Sequence, residues 1–286
     1  MARVSFEGVK RAGIALAWIL LFFVIGFGLT IGLAKALPGW GGPAWQLTRN
    51  VLYELIGFGA ATVIVGRVLN KHSWDQMGWY TEGGLARRIL RGTALGATMA
   101  ALAIGLAFLG DRARVAVVPE WDRWLEVALP LAFVLLAAAL AEELAFRGYP
   151  LRRLADAVGR VPALIVLGVV FALFHAGNPS ATVFSTVNVA LAAVWLSFAF
   201  FSYGGMGLAW GLHFGWNAGL ALLFDAPVSG YTFQVPAVDY APGARAWVDG
   251  GAFGPEGGLV ATIVVIAGTL ALVGARFTRP REWLVG

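Results

Sequence analysis

The sequence predicts an all-α, polytopic membrane protein of about eight transmembrane helices, and three observations carry that prediction. Of 286 residues, 59% are hydrophobic and only 13% are charged, against about 45–50% and about 25% in a soluble globular domain. The mean hydropathy is +0.76, and so little charge does not cover a surface that faces water. The apolar residues also gather in runs close to the roughly 20 residues that a helix needs to cross a bilayer. These runs lie at 12–34, 49–69, 91–110, 125–147, 161–177, 181–203, 206–224 and 258–276, and the chain reads as a single membrane domain over residues 1–286.

The first run follows Lys10 and Arg11 and is longer than the roughly 7–15 residues of a signal-peptide core, so it reads as a retained span. Between the second and third runs, residues 72–91 mix Trp74, Trp79 and Tyr80 with basic side chains, the composition of an interfacial anchor without chemistry. Residues 225–257 are rich in Gly and Pro and carry Tyr231, Phe233, Tyr240, Trp247 and Phe253. That segment reads either as a lid over a substrate entrance or as a plain connection.

The formal charge is +5, from 21 Lys and Arg against 16 Asp and Glu. On a chain this apolar, basic excess marks cytoplasmic loops rather than a nucleic-acid partner. Fifteen of the 21 basic residues fall at the N-terminus (Arg3, Lys10, Arg11), after the second run (Arg67, Lys71, Arg87, Arg88, Arg91), within 147–160 (Arg147, Arg152, Arg153, Arg160) and at the C-terminus (Arg276, Arg279, Arg281). The positive-inside rule places that side, and both termini, in the cytoplasm. The chain has no cysteine, which excludes disulfides and thiolate metal sites.

Ionisable residues at membrane depth cost roughly 2.5–3.5 kcal/mol each and therefore need a reason. The fourth run holds Glu142, Glu143 and Arg147. Glu143 and Arg147 are four residues apart with the acid N-terminal to the base, the favourable orientation for a helical ion pair. Glu142 points about 100° away, so one carboxylate reads as structural and the other as available for chemistry. Of three histidines, His72 lies in a charged loop and reads as solvated, His175 ends the fifth run, and His213 precedes Asn217 by four residues on one helix face. With a short turn between runs four and five, Glu142 and His175 lie 17 and 16 residues from Gly159. In an antiparallel hairpin they would share one depth. A site in a bundle of spans four, five and seven is the expectation.

These residues carry a resemblance to the CAAX-protease and bacteriocin-processing (CPBP) family of intramembrane endopeptidases. That family shows Glu-Glu-x-x-x-Arg, then Phe-x-x-x-His, then His-x-x-x-Asn or Asp on successive membrane helices. The chain has Glu142-Glu143-Leu-Ala-Phe-Arg147, Phe171-Ala-Leu-Phe-His175 and His213-Phe-Gly-Trp-Asn217. Each motif alone is weak, because spacings of four recur on many helices; three in order within apolar runs are fairly specific. The resemblance covers residues 125–224. It implies a peptide or protein substrate at or in the membrane, such as the C-terminal tripeptide of a lipidated protein or a leader or membrane peptide.

Peptide hydrolysis needs an activated water, a base for its proton and donors for the oxyanion. On this reading Glu142 activates the water, His175 orients it or shares its proton, and His213 with Asn217 stabilises the oxyanion. Glu143 and Arg147 support the aim of Glu142. In a metal-assisted variant, Glu142, His175 and His213 would be the three ligands of a divalent ion such as zinc. The version without an obligatory metal is preferred, since one ligand set would otherwise serve both as ligand and as base. Two rivals remain from the sequence: a proton-coupled transporter using the same polar residues as a relay, and a non-enzymatic, bacteriocin-immunity-type membrane protein.

Overall fold

A computed structural model describes residues 6–42, 45–80, 83–117 and 120–274. It is an all-α architecture, with one helix at each of the eight expected apolar runs. In chain order these are α1 (Phe6–Ala36), α2 (Gln46–Ala61), α3 (Leu85–Asp111), α4 (Trp121–Phe146), α6 (Arg160–His175), α7 (Val183–Phe201), α8 (Gly205–Ala218) and α10 (Leu259–Gly274). α2 and α8 continue in π-helical turns to Leu69 and Leu223. Five segments, Phe6–Ala36, Gln46–Leu69, Leu85–Asp111, Trp121–Val158 and Val183–Phe201, are long and apolar enough to cross a membrane, while α6 and α10 are shorter apolar helices. Many large apolar side chains, among them Leu20, Val24, Phe133 and Leu173, lie on the outer surface. That is the arrangement expected when lipid, not water, is the solvent.

Three features differ from the sequence expectation. The supposed short turn after α4 is a helix of its own, α5 (Tyr149–Val158), with Pro150 in its first turn and Gly159 at φ +88° beyond its end; proline suits that first turn because its missing N–H has no helical partner there. Residues 72–91 are not one interfacial segment, because α3 begins at Leu85. A small antiparallel ribbon pairs β1 (Arg114–Val117) with β2 (Val238–Ala241), Val115 opposite Tyr240. Arg3, Arg276, Arg279, Arg281 and the end of the last expected span lie outside the described residues.

The chain packs as two compact units, residues 1–81 with 136–167, and residues 82–135 with 168–286. In the first, α1 and α2 touch through glycines: a Cβ on Gly57 would stand 2.5 Å from the carbonyl oxygen of Gly26. Around that contact, Phe22 stacks on Tyr149 at 5.5 Å, Phe23 meets Phe146 at 5.8 Å, and Phe27 meets Phe58 edge-on at 5.1 Å. These rings seat the end of α4 and the start of α5.

In the second unit, α3 and α8 approach almost backbone to backbone. A Cβ on Gly92 or Gly96 would fall 2.6 Å or 2.3 Å from the carbonyl oxygens of Leu208 and Leu212, and one on Gly211 or Gly215 would fall 2.2 Å from those of Ile89 and Thr93. Small residues every fourth position are the standard means of close helix packing in lipid, where no hydrophobic effect drives helices together. α7 and α10 join this pair through Asn188, whose side chain donates to the carbonyls of Glu256 and Gly258 at 2.9 and 2.8 Å and accepts from Thr262 at 2.7 Å.

Residues 225–257 are tied down at many points. Arg245 pairs with Asp111 at the end of α3 at 2.7 Å, and Asp249 receives the backbone N–H groups of Gly243 and Gly251. The one-turn helix α9 (Ala246–Asp249) and two 3-10 turns, Gly251–Phe253 and Pro255–Gly257, fill the rest. Tyr240 and Asp249 are buried, 6% and 0% exposed, so this stretch is a packed cap rather than a loose loop.

Candidate active site

The first unit holds Glu142 and Glu143, on the last turns of α4, and Arg147, in the turn that follows it. Glu143 is 0% and Arg147 1% exposed. Their ion pair, expected from the spacing, closes at 3.2 Å between Nη1 and Oε1. Glu142 is half-buried on the adjacent face and lies within electrostatic reach of Arg147. The aromatic neighbours Phe146 and Tyr149 bracket Arg147 in sequence and anchor in the α1–α2 ring cluster. The charged pair is therefore held in a dry, rigid setting where unpaired charge would be costly.

A third carboxylate, outside the three motifs, belongs to the same neighbourhood. Glu54 sits on α2 and interacts electrostatically with Glu142. A signal for it exists in the sequence, since an ionisable residue inside an apolar run asks for a reason.

The second unit holds His175, His213 and Asn217. The ring of Phe171 lies 4.4 Å from that of His175 and 6.4 Å from that of His213, so one phenyl ring abuts both imidazoles. His175 Nδ1 is 2.9 Å from the carbonyl oxygen of Phe171. A carbonyl only accepts, so Nδ1 donates, and whenever the ring is neutral its lone pair lies on Nε2. Phe171 of the Phe-x-x-x-His motif thus sets the tautomer through its backbone as well as packing through its ring. His213 is 8% exposed, and Asn217 follows one turn later on the face that α8 leaves after its glycines meet α3.

α4 and α6 are not joined by a short hairpin turn, because the ten residues of α5 stand between them, and sequence distance from Gly159 does not measure depth. His72 is not simply solvated either. It is half-buried, its ring edge-on to Tyr149 at 5.6 Å. Burial lowers its pKa below the ordinary histidine value, and Arg153 and Arg152 act in the same direction against the opposing pull of Asp156. Among the described residues, no group of three His, Cys, Asp or Glu side chains stands together as a metal-holding set.

Residues 124–219 match the family described as type II CAAX prenyl endopeptidase Rce1-like. The matched stretch begins near the start of α4 and ends just after α8, enclosing all three motifs, and it is the CAAX-protease family that those motifs resemble. Neither a curated protein nor a solved structure gives a significant match to the chain.

Proposed function

We propose, from the premise that residues 124–219 are an Rce1-like domain, that this integral membrane protein is an intramembrane endopeptidase cleaving a membrane-associated or lipidated peptide. The observation that carries the reading is the enclosure of all three polar motifs by one family match, on helices that otherwise present apolar side chains.

Glu142 takes a proton from a water as that water attacks the scissile carbonyl. His175, with Nδ1 committed to Phe171, offers Nε2 to hold the water in line. The carbonyl oxygen gains negative charge, and His213 and Asn217 donate to it; preorganised donors of this kind are worth several kcal/mol at the transition state. Collapse breaks the C–N bond, Glu142 returns its proton to the leaving nitrogen, the remaining hydroxyl proton of the new acid passes to the amine, and a carboxylate and an ammonium depart. The Glu143–Arg147 pair fixes the last turn of α4 and so the direction of Glu142. Both termini and the basic loops face the cytoplasm on this reading, and the substrate enters from that face or from the bilayer.

The test is cleavage of quenched peptides, with and without a prenylated C-terminal cysteine, by purified protein in nanodiscs. Products with a new C-terminus that persist in a strong chelator are expected. Activity lost to chelation and restored by zinc would replace the water-activating carboxylate with a metal-assisted reaction.

A further inference from the structure

The segment 225–257 contains a carboxylate that the proposed chemistry does not use. Glu256 lies in the 3-10 turn just before α10, and its two oxygens face in two directions. Oε1 accepts from the indole Nε1–H of Trp216 at 2.8 Å. Oε2 accepts from the backbone N–H of Ser229 and from its hydroxyl, the latter at 2.9 Å. Trp216 is the residue before Asn217 and three after His213.

From Ser229 the connection continues to the other histidine. The carbonyl of Ser229 accepts from Asn178 Nδ2 at 3.0 Å, and the backbone N–H of Asn178 donates to the carbonyl of His175 at 3.1 Å. An unbroken path of hydrogen bonds therefore runs from the backbone of His175 to the side chain beside Asn217, all within one compact unit.

The path is built with little slack. Ser229 and Gly230 have φ of +49° and +88°, a conformation that favours glycine. A Cβ on Gly230 would lie 2.0 Å from the carbonyl oxygen of Pro179, so the strap presses directly on the turn after His175. From behind, Asn188 grips the backbone carbonyl of Glu256 itself. A connection needing only to link α8 to α10 would not require a charged acceptor between two helix ends. Charge-assisted bonds are the shorter and stronger kind and fix geometry.

We infer that Glu256 is a positioning residue of the proposed active site: it ties Trp216 to Ser229 and Asn178 and so sets the spacing between His175 and the His213–Asn217 turn. The segment 225–257 is on this account a fixed strap, not a lid. The inference rests on the peptidase reading for its chemistry, but the spacing it assigns is measurable without substrate.

The experiment uses the full chain in nanodiscs with its three histidines labelled. Glu256→Gln keeps the shape and puts an amide where an acceptor is needed, and Trp216→Phe keeps the ring and deletes only the donor. Both are expected to move the imidazole resonances of His175 and His213 while leaving that of His72, in the other unit, in place. Both are also expected to lower kcat about 10- to 100-fold, the loss that a displacement of about an ångström produces, with KM changed less than about 3-fold. The double variant should be no slower than the slower single. If Glu256→Gln fails to fold, Trp216→Phe carries the same readings. Unmoved His175 and His213 resonances would overturn the inference, as would a wild-type kcat in both variants alongside an inactive Glu142→Gln. If the wild type cleaves nothing, the peptidase reading fails, and the resonances alone decide whether Glu256 spaces the histidines.

Discussion

At the scale of single residues, the paired motif Glu142-Glu143 divides into two physically different carboxylates. Glu143 is wholly buried and bonded to a buried guanidinium. Removing one member of such a pair strands the other charge in an apolar setting, which costs about 3–5 kcal/mol. Glu143→Ala is therefore expected to lower stability by about that amount, read as a large fall in melting temperature in detergent. Glu142→Gln, on the half-buried face, is expected to shift melting little. His72 makes a separate prediction about pH. Its pKa is lowered in the folded protein by burial, so the unfolded chain binds more protons there and stability falls as pH drops through the ordinary histidine range near 6.5. His72→Gln should lose less stability between pH 7.5 and pH 5.5 than the wild type does. An equal loss in both would contradict the assignment.

At the scale of elements, the helix carrying His213 and Asn217 owes its position to glycine. α8 meets α3 through Gly207, Gly211, Gly215 and Gly219, spaced by four, against Gly92, Gly96 and Ala100. A methyl at Gly215 would collide with the backbone of Thr93 at 2.2 Å, and backbone does not yield as a side-chain tip does. Gly215→Ala should cost about 1–3 kcal/mol of stability, the usual penalty for overpacking, and should also reduce cleavage because His213 and Asn217 move with the helix. Gly105→Ala on the same α3, where a Cβ meets nothing within 4 Å, is the matched control and should leave melting within about 0.5 kcal/mol of wild type. The spacing of four was present in the sequence, as were Gly148 and Pro150 at the break before α5. Reading them correctly needs the partner helix and the ring cluster, which a hydropathy pattern does not supply. The same holds for Glu256, an unremarked acid in a Gly-rich stretch until Trp216 and Ser229 are brought to it from sequence distances of 40 and 27 residues.

At the scale of the whole molecule, hydropathy alone located eight helices, and three short motifs led to the family that residues 124–219 match. Both signals are local, since a run of apolar residues and a spacing of four are written along the chain. What was not legible is non-local: the β1–β2 ribbon, the capped segment 225–257 and the approach of Glu54 to Glu142. The orientation proposed for the membrane rests on the placement of basic residues, and the absence of cysteine makes it simple to test. Single cysteines replacing Asp75 and Ala244, both exposed, should react with a membrane-impermeant thiol reagent from opposite sides, Asp75→Cys from the cytoplasmic side. Labelling of both from one side would overturn the assigned topology.

Glu142 is proposed to activate the water that cuts a peptide bond. The most direct measurement is the single-turnover cleavage rate of one good peptide by wild type and by Glu142→Gln, both verified as folded in nanodiscs. Loss of a general base costs about 10²–10⁴-fold, so a fall of that size is expected in the variant with the peptide still bound. A Glu142→Gln variant cleaving at the wild-type rate would contradict it.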